Sequence, residues 1–280
     1  MNSRTLHGIF RLVRPLNVSI ASLTVGAAAV LGGVRAGDWD ILVLGMLTGA
    51  FVAAGANAIN DYFDHEIDRI NRPDRPIPRG QVSRRDALIV WGATSIGGIS
   101  VNIFLHLGAL AIVAGSLVLL YWYSAYWKRT PVVGNLVVAL MTGMAFIYGG
   151  AVAGDVRRTV IPAVFAALIN LAREIIKDVE DMEGDRHGKA RTYPILYGKR
   201  SALVLTTAVL LVLCASLWVP VVAGAYGLRY SLLVLPVNAA LLVVVAMIWR
   251  DSSPTNLRSQ SALLKGTMVL GLIAVFAGSL

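Results

Sequence analysis

Cysteine is nearly absent from this chain: Cys214 stands alone, so no disulfide can form within it, and a lone thiol inside an apolar run gives no support to thiol chemistry. Charge is scarce too. Only 15% of the 280 residues are Asp, Glu, Lys or Arg, where about a quarter is usual, and this argues against an ordinary soluble domain and against a disordered tail. No Pro-rich, Ser-rich or low-complexity stretch divides the sequence, so a single domain over 1–280 is expected. Common catalytic signatures are missing as well. There is no His-Glu-x-x-His, no Gly-x-Ser-x-Gly and no Gly-Lys-Ser/Thr phosphate loop, and His7, His65, His106 and His187 lack zinc-ligand spacing.

What the chain has instead is apolar length: 56% hydrophobic residues and a mean hydropathy of +0.69. Runs long enough to span a bilayer lie at about 15–34, 40–60, 87–105, 108–127, 132–152, 160–176, 201–224, 230–249 and 262–279. The expected fold is therefore all-α, a polytopic membrane protein with nine transmembrane helices in a single bundle around a central cavity. A net charge of +9 would suggest nucleic acid in a soluble protein. Across nine spans the distribution of the cations matters more, and no nucleic-acid partner is expected.

That distribution is lopsided. With the N-terminus on the cytoplasmic side, that side holds Arg4, Arg11 and Arg14, six cations from Arg69 to Arg85, Lys128 and Arg129, seven from Arg173 to Arg200, and Arg250, Arg258 and Lys265. The opposite side holds only Arg35, Arg157, Arg158 and Arg229. The positive-inside rule then sets a cytoplasmic N-terminus and an outside C-terminus. It also supports the count of nine, because one missed span would scramble the alternation.

Acidic residues are concentrated. Twelve of the sixteen fall in 61–86 or 174–185, both following even-numbered spans and so both at the cytoplasmic face. The pattern Asp61-x-x-Asp64-x-x-x-Asp68 recurs as Asp178-x-x-Asp181-x-x-x-Asp185, 117 residues later. Offsets of 3, 4 and 7 place each set on one helical face, where like charges repel. Something cationic must offset them. Mg²⁺ binds one or two carboxylates plus substrate phosphates, so two such clusters fit a Mg²⁺–diphosphate seat. Arg72, Arg75 and Arg79 follow the first set, Lys177, Arg186 and Lys189 flank the second, and Lys128 and Arg129 close the fourth span.

Neighbouring residues divide between structure and chemistry. Asn57 is expected to make a helix–helix hydrogen bond, whereas Asn60 shares a face with Asp64 and Asp68 and belongs with the metal shell. Trp122 and Trp127 fit an interfacial belt; Tyr123 and Tyr126 could also steady a cation through their ring faces. Gly45-x-x-x-Gly49 and Gly150-x-x-x-Gly154 allow close helix packing.

The run Asn60-Asp-Tyr-Phe-Asp-His-Glu-Ile-Asp-Arg-Ile-Asn-Arg-Pro-Asp-Arg-Pro-Ile-Pro-Arg-Gly80 resembles the first aspartate motif of the UbiA-type intramembrane prenyltransferases, and Arg173-Glu-Ile-Ile-Lys-Asp-Val-Glu-Asp-Met-Glu-Gly-Asp185 resembles the second. Within that family Arg14-Pro-Leu-Asn17 and Tyr123-Ser-Ala-Tyr-Trp-Lys128 are most like the archaeal ether-lipid branch. The resemblance implies Mg²⁺-dependent transfer of geranylgeranyl from its diphosphate to the free hydroxyl of geranylgeranylglyceryl phosphate, an isoprenoid diphosphate donor meeting a lipid-like phosphate acceptor in a membrane. Carried over by position, Asn60, Asp64, Asp68, Asp181 and Asp185 would hold the Mg²⁺–diphosphate, with Asp61 and Asp178 close by. Arg72 and Lys128 would contact the diphosphate, and Arg14, Asn17, Tyr123 and Lys177 are further candidate substrate contacts. Tyr123 stands five residues before Lys128, unlike the family's Tyr-x-x-x-Lys, which leaves its role open.

Ionising an allylic carbon–oxygen bond requires the leaving diphosphate to be neutralised and water kept away, which a helix bundle open at the membrane surface provides. An aromatic, quinone-precursor or chlorin acceptor is the alternative within the same chemistry. A secondary transporter is the alternative of another class, but its charges would lie near the bilayer midplane on broken helices rather than at helix ends on one face.

Overall fold

The computed structural model describes residues 3–187 and 190–279. Among these residues every regular element is a helix: α1 (Ser3–Val13), α2 (Pro15–Gly32), α3 (Trp39–Asn71), α4 (Arg84–Ile103), α5 (Leu107–Ala125), a 3₁₀ turn at Trp127–Arg129, α6 (Val133–Ala153), α7 (Arg157–Glu180), α8 (Met182–His187), α9 (Tyr193–Tyr197), α10 (Lys199–Ser216), α11 (Val219–Val222), α12 (Leu228–Arg250) and α13 (Pro254–Ser279). Nine stretches among them are long and apolar enough to cross a bilayer, from Pro15–Gly32 to Pro254–Ser279.

Where the helices depart from the expected spans, local chemistry explains it. The expected second span ends at residue 60, yet α3 continues to Asn71, straight through the aspartates. It can do so because cations from other elements neutralise that acidic stripe. The expected run 201–224 is broken after Ser216 and resumes as α11. Pro220 has no N–H to donate and its ring crowds the carbonyl four residues earlier, that of Ser216. α13 begins at Pro254, ahead of the apolar run, with proline at the first helical position where the missing N–H costs nothing.

The chain forms two compact units. One comprises residues up to Lys128 with Met144–Val160; the other comprises Arg129–Gly143 with the residues from Ile161 on. In the first, α3 packs against α1, α2, α4 and α5. Its core gathers Val25, Ala109, Val113, Leu117, Tyr148, Ala151 and Val152. Inside it the Asn102 amide donates to Thr48 Oγ1 at 3.1 Å and to the Gly98 carbonyl at 2.7 Å, while its oxygen accepts from Tyr148 at 3.0 Å. Such polar groups are tolerated in an apolar interior only when satisfied.

Close helix packing is real at Gly49, where an added Cβ would lie 2.9 Å from Val25 Cγ2. The second small-residue pair works differently. Gly154 faces open space with φ +84°, so it serves the turn after α6, whereas Gly150 does pack tightly, an added Cβ falling against Thr159 Oγ1, and Gly149 lies against the backbone of α2 at Val25 and Ala29.

In the second unit α12 packs on α10 and α13 around Leu210, Leu213, Val234, Leu241, Ile248, Leu257 and Leu264. Tyr230, wholly buried, donates its hydroxyl to the Leu217 carbonyl at 2.7 Å and so caps the break between α10 and α11. Lys199 donates to the Ser252 carbonyl and ties the start of α10 to the α12–α13 turn.

Candidate active site

Asp61, Asp64 and Asp68 lie on one stripe of α3 and are 2%, 5% and 4% exposed. Three buried anions in a row need partners, and three cations supply them. The Arg75 guanidinium reaches all three carboxylates, with Nη1 at 3.2 Å from Asp61, 3.9 Å from Asp64 and 2.5 Å from Asp68. Arg14 pairs with Asp61. Lys128, in the 3₁₀ turn after α5, pairs with Asp64 and donates to Asn60 Oδ1 at 2.8 Å. Loss of water around the Lys128 ammonium pulls its pKa down from the ordinary lysine value, and Asp64 pulls it back.

Each cation is aimed by a local feature of the chain. Arg14 joins α1 to α2 in the left-handed region, φ 53° and ψ 76°, before Pro15. That conformation is unfavourable for a side chain bearing a Cβ, and the ion pair to Asp61 helps hold it. Arg75 sits in the turn-rich segment Arg72–Val82, whose Pro76 carbonyl accepts from Gln81 N–H at 3.0 Å. α1 fastens that segment: Arg11 donates to the Asp74 carbonyl at 2.9 Å and to Gln81 Oε1 at 3.3 Å. Asn57, as expected for a structural amide, donates to the Val13 carbonyl at 2.8 Å and ties α1 to α3.

The second aspartate set has a different setting. α7 ends at Glu180, Asp181 occupies a turn, and α8 starts at Met182, so the three residues do not share one unbroken helix. Helical hydrogen bonding nevertheless persists, with Asp181 N–H on the Lys177 carbonyl and Asp185 N–H on the Asp181 carbonyl, both at 2.9 Å. Asp178 and Asp185 are half-buried and Asp181 is exposed. Asp178 accepts from Asn135 Nδ2 at 2.8 Å. Lys177 pairs with Glu174 at 2.9 Å, and Glu174 also meets Arg173 at 3.2 Å. Arg173 reaches Asn170 Oδ1 at 2.6 Å, and Asn170 donates to Thr142 Oγ1 at 2.9 Å.

Among the other residues singled out in the sequence, Arg72 is exposed at the end of α3 and touches none of the three buried carboxylates, the place next to them being taken by Arg75. Asn17 is exposed in the first turn of α2, and Tyr123 is half-buried near the end of α5. Tyr126, 61% exposed, stacks on Trp122 with ring centroids 5.1 Å apart, an arrangement suited to a membrane interface. Lys189 lies outside the described residues. Asn135 escaped the sequence reading. Its signal was the one used for Asn57 and Asn60, an amide within an apolar span that must find a partner.

The donor chemistry suits a hard divalent ion: carboxylates and one amide oxygen on a single helix face, with nitrogen cations positioned to meet an anion. Among the described residues no three acidic, histidine or cysteine side chains converge as a ready-made chelate. Magnesium fits such a set when phosphate oxygens and water complete its shell.

The sequence profile of the UbiA prenyltransferase family matches residues 20–270. The digeranylgeranylglyceryl phosphate synthase of Natronomonas pharaonis is 39% identical over 278 residues, covering 98% of each chain. That of Methanopyrus kandleri is 38% identical over 277 residues, 98% of this chain and all of that one. A solved digeranylgeranylglyceryl phosphate synthase superposes with a TM-score of 0.85 at 28% identity, covering 98% of each chain. A UbiA homologue from Archaeoglobus fulgidus bound to GPP and Mg²⁺ shares the fold, with a TM-score of 0.75 at 20% identity over 96% of this chain and 99% of that one.

Proposed function

The chain belongs to the UbiA prenyltransferase family and is an integral membrane prenyltransferase, and from that premise we propose that it transfers geranylgeranyl from geranylgeranyl diphosphate to geranylgeranylglyceryl phosphate. The observation that carries this choice of substrates is identity near 38% along almost the whole chain to proteins named digeranylgeranylglyceryl phosphate synthase. Residues 1–280 then act as one catalytic domain, to which both aspartate sets contribute. The cation distribution supports a cytoplasmic N-terminus, an outside C-terminus and chemistry at the cytoplasmic face.

In this reading Asn60, Asp64, Asp68, Asp181 and Asp185 hold Mg²⁺, with Asp61 and Asp178 beside them. Bound Mg²⁺ would supply charge neutralisation to the departing diphosphate. The protein's own cations share that task. Lys128 and Arg75 already stand among the carboxylates that would receive the metal, so their N–H groups are within reach of diphosphate oxygens. As the carbon–oxygen bond breaks, charge develops on the leaving oxygens and these fixed donors stabilise it without reorganising. The allylic carbon is left electron-poor, and the acceptor hydroxyl attacks it, forming the ether bond and passing its proton to the departing diphosphate. Burial of the first aspartate stripe keeps competing water low.

The test is to incubate the purified chain and Mg²⁺ with radiolabelled geranylgeranyl diphosphate and, in parallel, geranylgeranylglyceryl phosphate or an aromatic acceptor. A doubly prenylated glyceryl phosphate supports the proposal. A prenylated aromatic product alone would move the chain to another branch of the family.

A further inference from the structure

In the first aspartate stripe three buried carboxylates face three protein cations, Arg14, Arg75 and Lys128, so the group is electrically balanced by the protein itself. A Mg²⁺ ion arriving alone would have to displace a guanidinium or an ammonium and leave that cation buried beside a metal, at a large electrostatic cost. A metal that arrives with a diphosphate brings new acceptors for the displaced donors. We infer that Arg75 and Lys128 are resident counter-ions that keep bare divalent metal out of the Asp61–Asp64–Asp68 stripe. They admit it only together with a diphosphate, whose oxygens take over their hydrogen bonds.

The inference rests on the proposed reading of this stripe as the metal–diphosphate seat and adds an order to it: metal and diphosphate enter as one unit. Two observations point the same way. Arg75 Nη1 alone spans all three carboxylates. Lys128 Nζ bridges Asn60 and Asp64, two oxygen donors the metal would need. The carboxylate oxygens are thus turned onto nitrogen cations of the protein, which hold the place a bare ion would need. The arrangement also excludes wasteful occupancy, since a dication with no leaving group to neutralise would gain little there.

The experiment uses the full chain in detergent micelles and Mn²⁺ as a spectroscopic stand-in for Mg²⁺, reading free Mn²⁺ by electron paramagnetic resonance with and without inorganic pyrophosphate, each against a protein-free titration that subtracts the Mn²⁺ held by pyrophosphate itself. Wild type should bind Mn²⁺ weakly alone and at least about tenfold more tightly with pyrophosphate. Arg75→Met should tighten binding of Mn²⁺ alone by about tenfold and lower the melting temperature of the metal-free protein, because one buried anion loses its partner. Arg79→Met removes the same charge from the same segment, at an exposed position, and should change neither. If Arg75→Met fails to fold, Arg75→Lys substitutes, with a smaller shift in the same direction. Equal Mn²⁺ affinity with and without pyrophosphate in wild type overturns the inference, as does an Arg75 variant that binds bare Mn²⁺ no better. Either result in a protein that still makes the prenylated product leaves the proposed function standing. Pyrophosphate-gated Mn²⁺ binding in a protein that prenylates no acceptor supports the inference and overturns the function.

Discussion

The two aspartate segments share one spacing and have different surroundings. Asp61, Asp64 and Asp68 are buried on an unbroken helix and clamped by three cations, whereas Asp181 is exposed at a helix break and Asp178 is held by the neutral amide of Asn135. A repeated pattern in sequence therefore preserves residue identity without preserving electrostatic environment. The first segment is neutralised by cations of the protein itself, and the second has an exposed middle residue. Substitutions should accordingly separate activity from stability in one segment and couple them in the other.

The largest expected effect tests that contrast directly. Asp64→Ala and Asp181→Ala should each lower prenyl transfer by about 10³-fold or more, since each removes charge from the proposed diphosphate seat. Only Asp64→Ala should also shift the melting temperature substantially, because it strands the Lys128 ammonium. Equal destabilisation by both would erase the distinction between the segments; near-normal turnover in a double variant would remove the metal assignment altogether.

Lys128→Met comes next. It leaves Asp64 without its ammonium partner, and with 31% of the lysine side chain still exposed the stability loss should be about 1–3 kcal/mol. Product formation should fall as well, which an activity assay beside thermal unfolding would register. Asn135→Ala, the corresponding test in the second segment, removes one neutral donor from Asp178 and should cost about 1–2 kcal/mol.

Arg14 allows a finer cut. Arg14→Ala and Arg14→Gly both remove one of the two cations on Asp61, but only glycine relaxes at φ 53°, so the glycine variant should unfold at the higher temperature by about 1 kcal/mol of stability. Identical melting of the two would mean that the left-handed turn stores no strain.

The smallest effect lies outside both segments. Asp251 accepts from Ser253 N–H and Oγ, each at 2.8 Å, which holds its carboxyl below the ordinary aspartate value. A lowered folded pKa contributes stability that is present above the ordinary carboxylate range and lost as pH falls through the folded value. The gap in melting temperature between wild type and Asp251→Ala should therefore close on acidification, whereas a gap that persists in strong acid would show that the hydrogen bonds do not depend on ionisation.

Much of this could be read in advance. The nine spans followed from apolar length, and the duplicated aspartates followed from a spacing that only a helical face explains. Arg75 could not be ranked above Arg72 by any local rule. Both are arginines just beyond the helix, and which one turns inward depends on the turns of Arg72–Val82 and on the grip of Arg11 upon them. Asn135 carried the signal of an amide in an apolar span, but its partner could not be read for a related reason, since Asp178 lies 43 residues away.

The sequence by itself determined the solvent, the helices and the clustering of charge, because hydropathy, period and charge are properties of neighbouring residues. Tertiary structure alone decided which cation meets which carboxylate. An ion pair depends on distances of a few ångströms between groups brought together by packing, and those distances separate a buried, balanced stripe from a partly exposed one that repeats its letters.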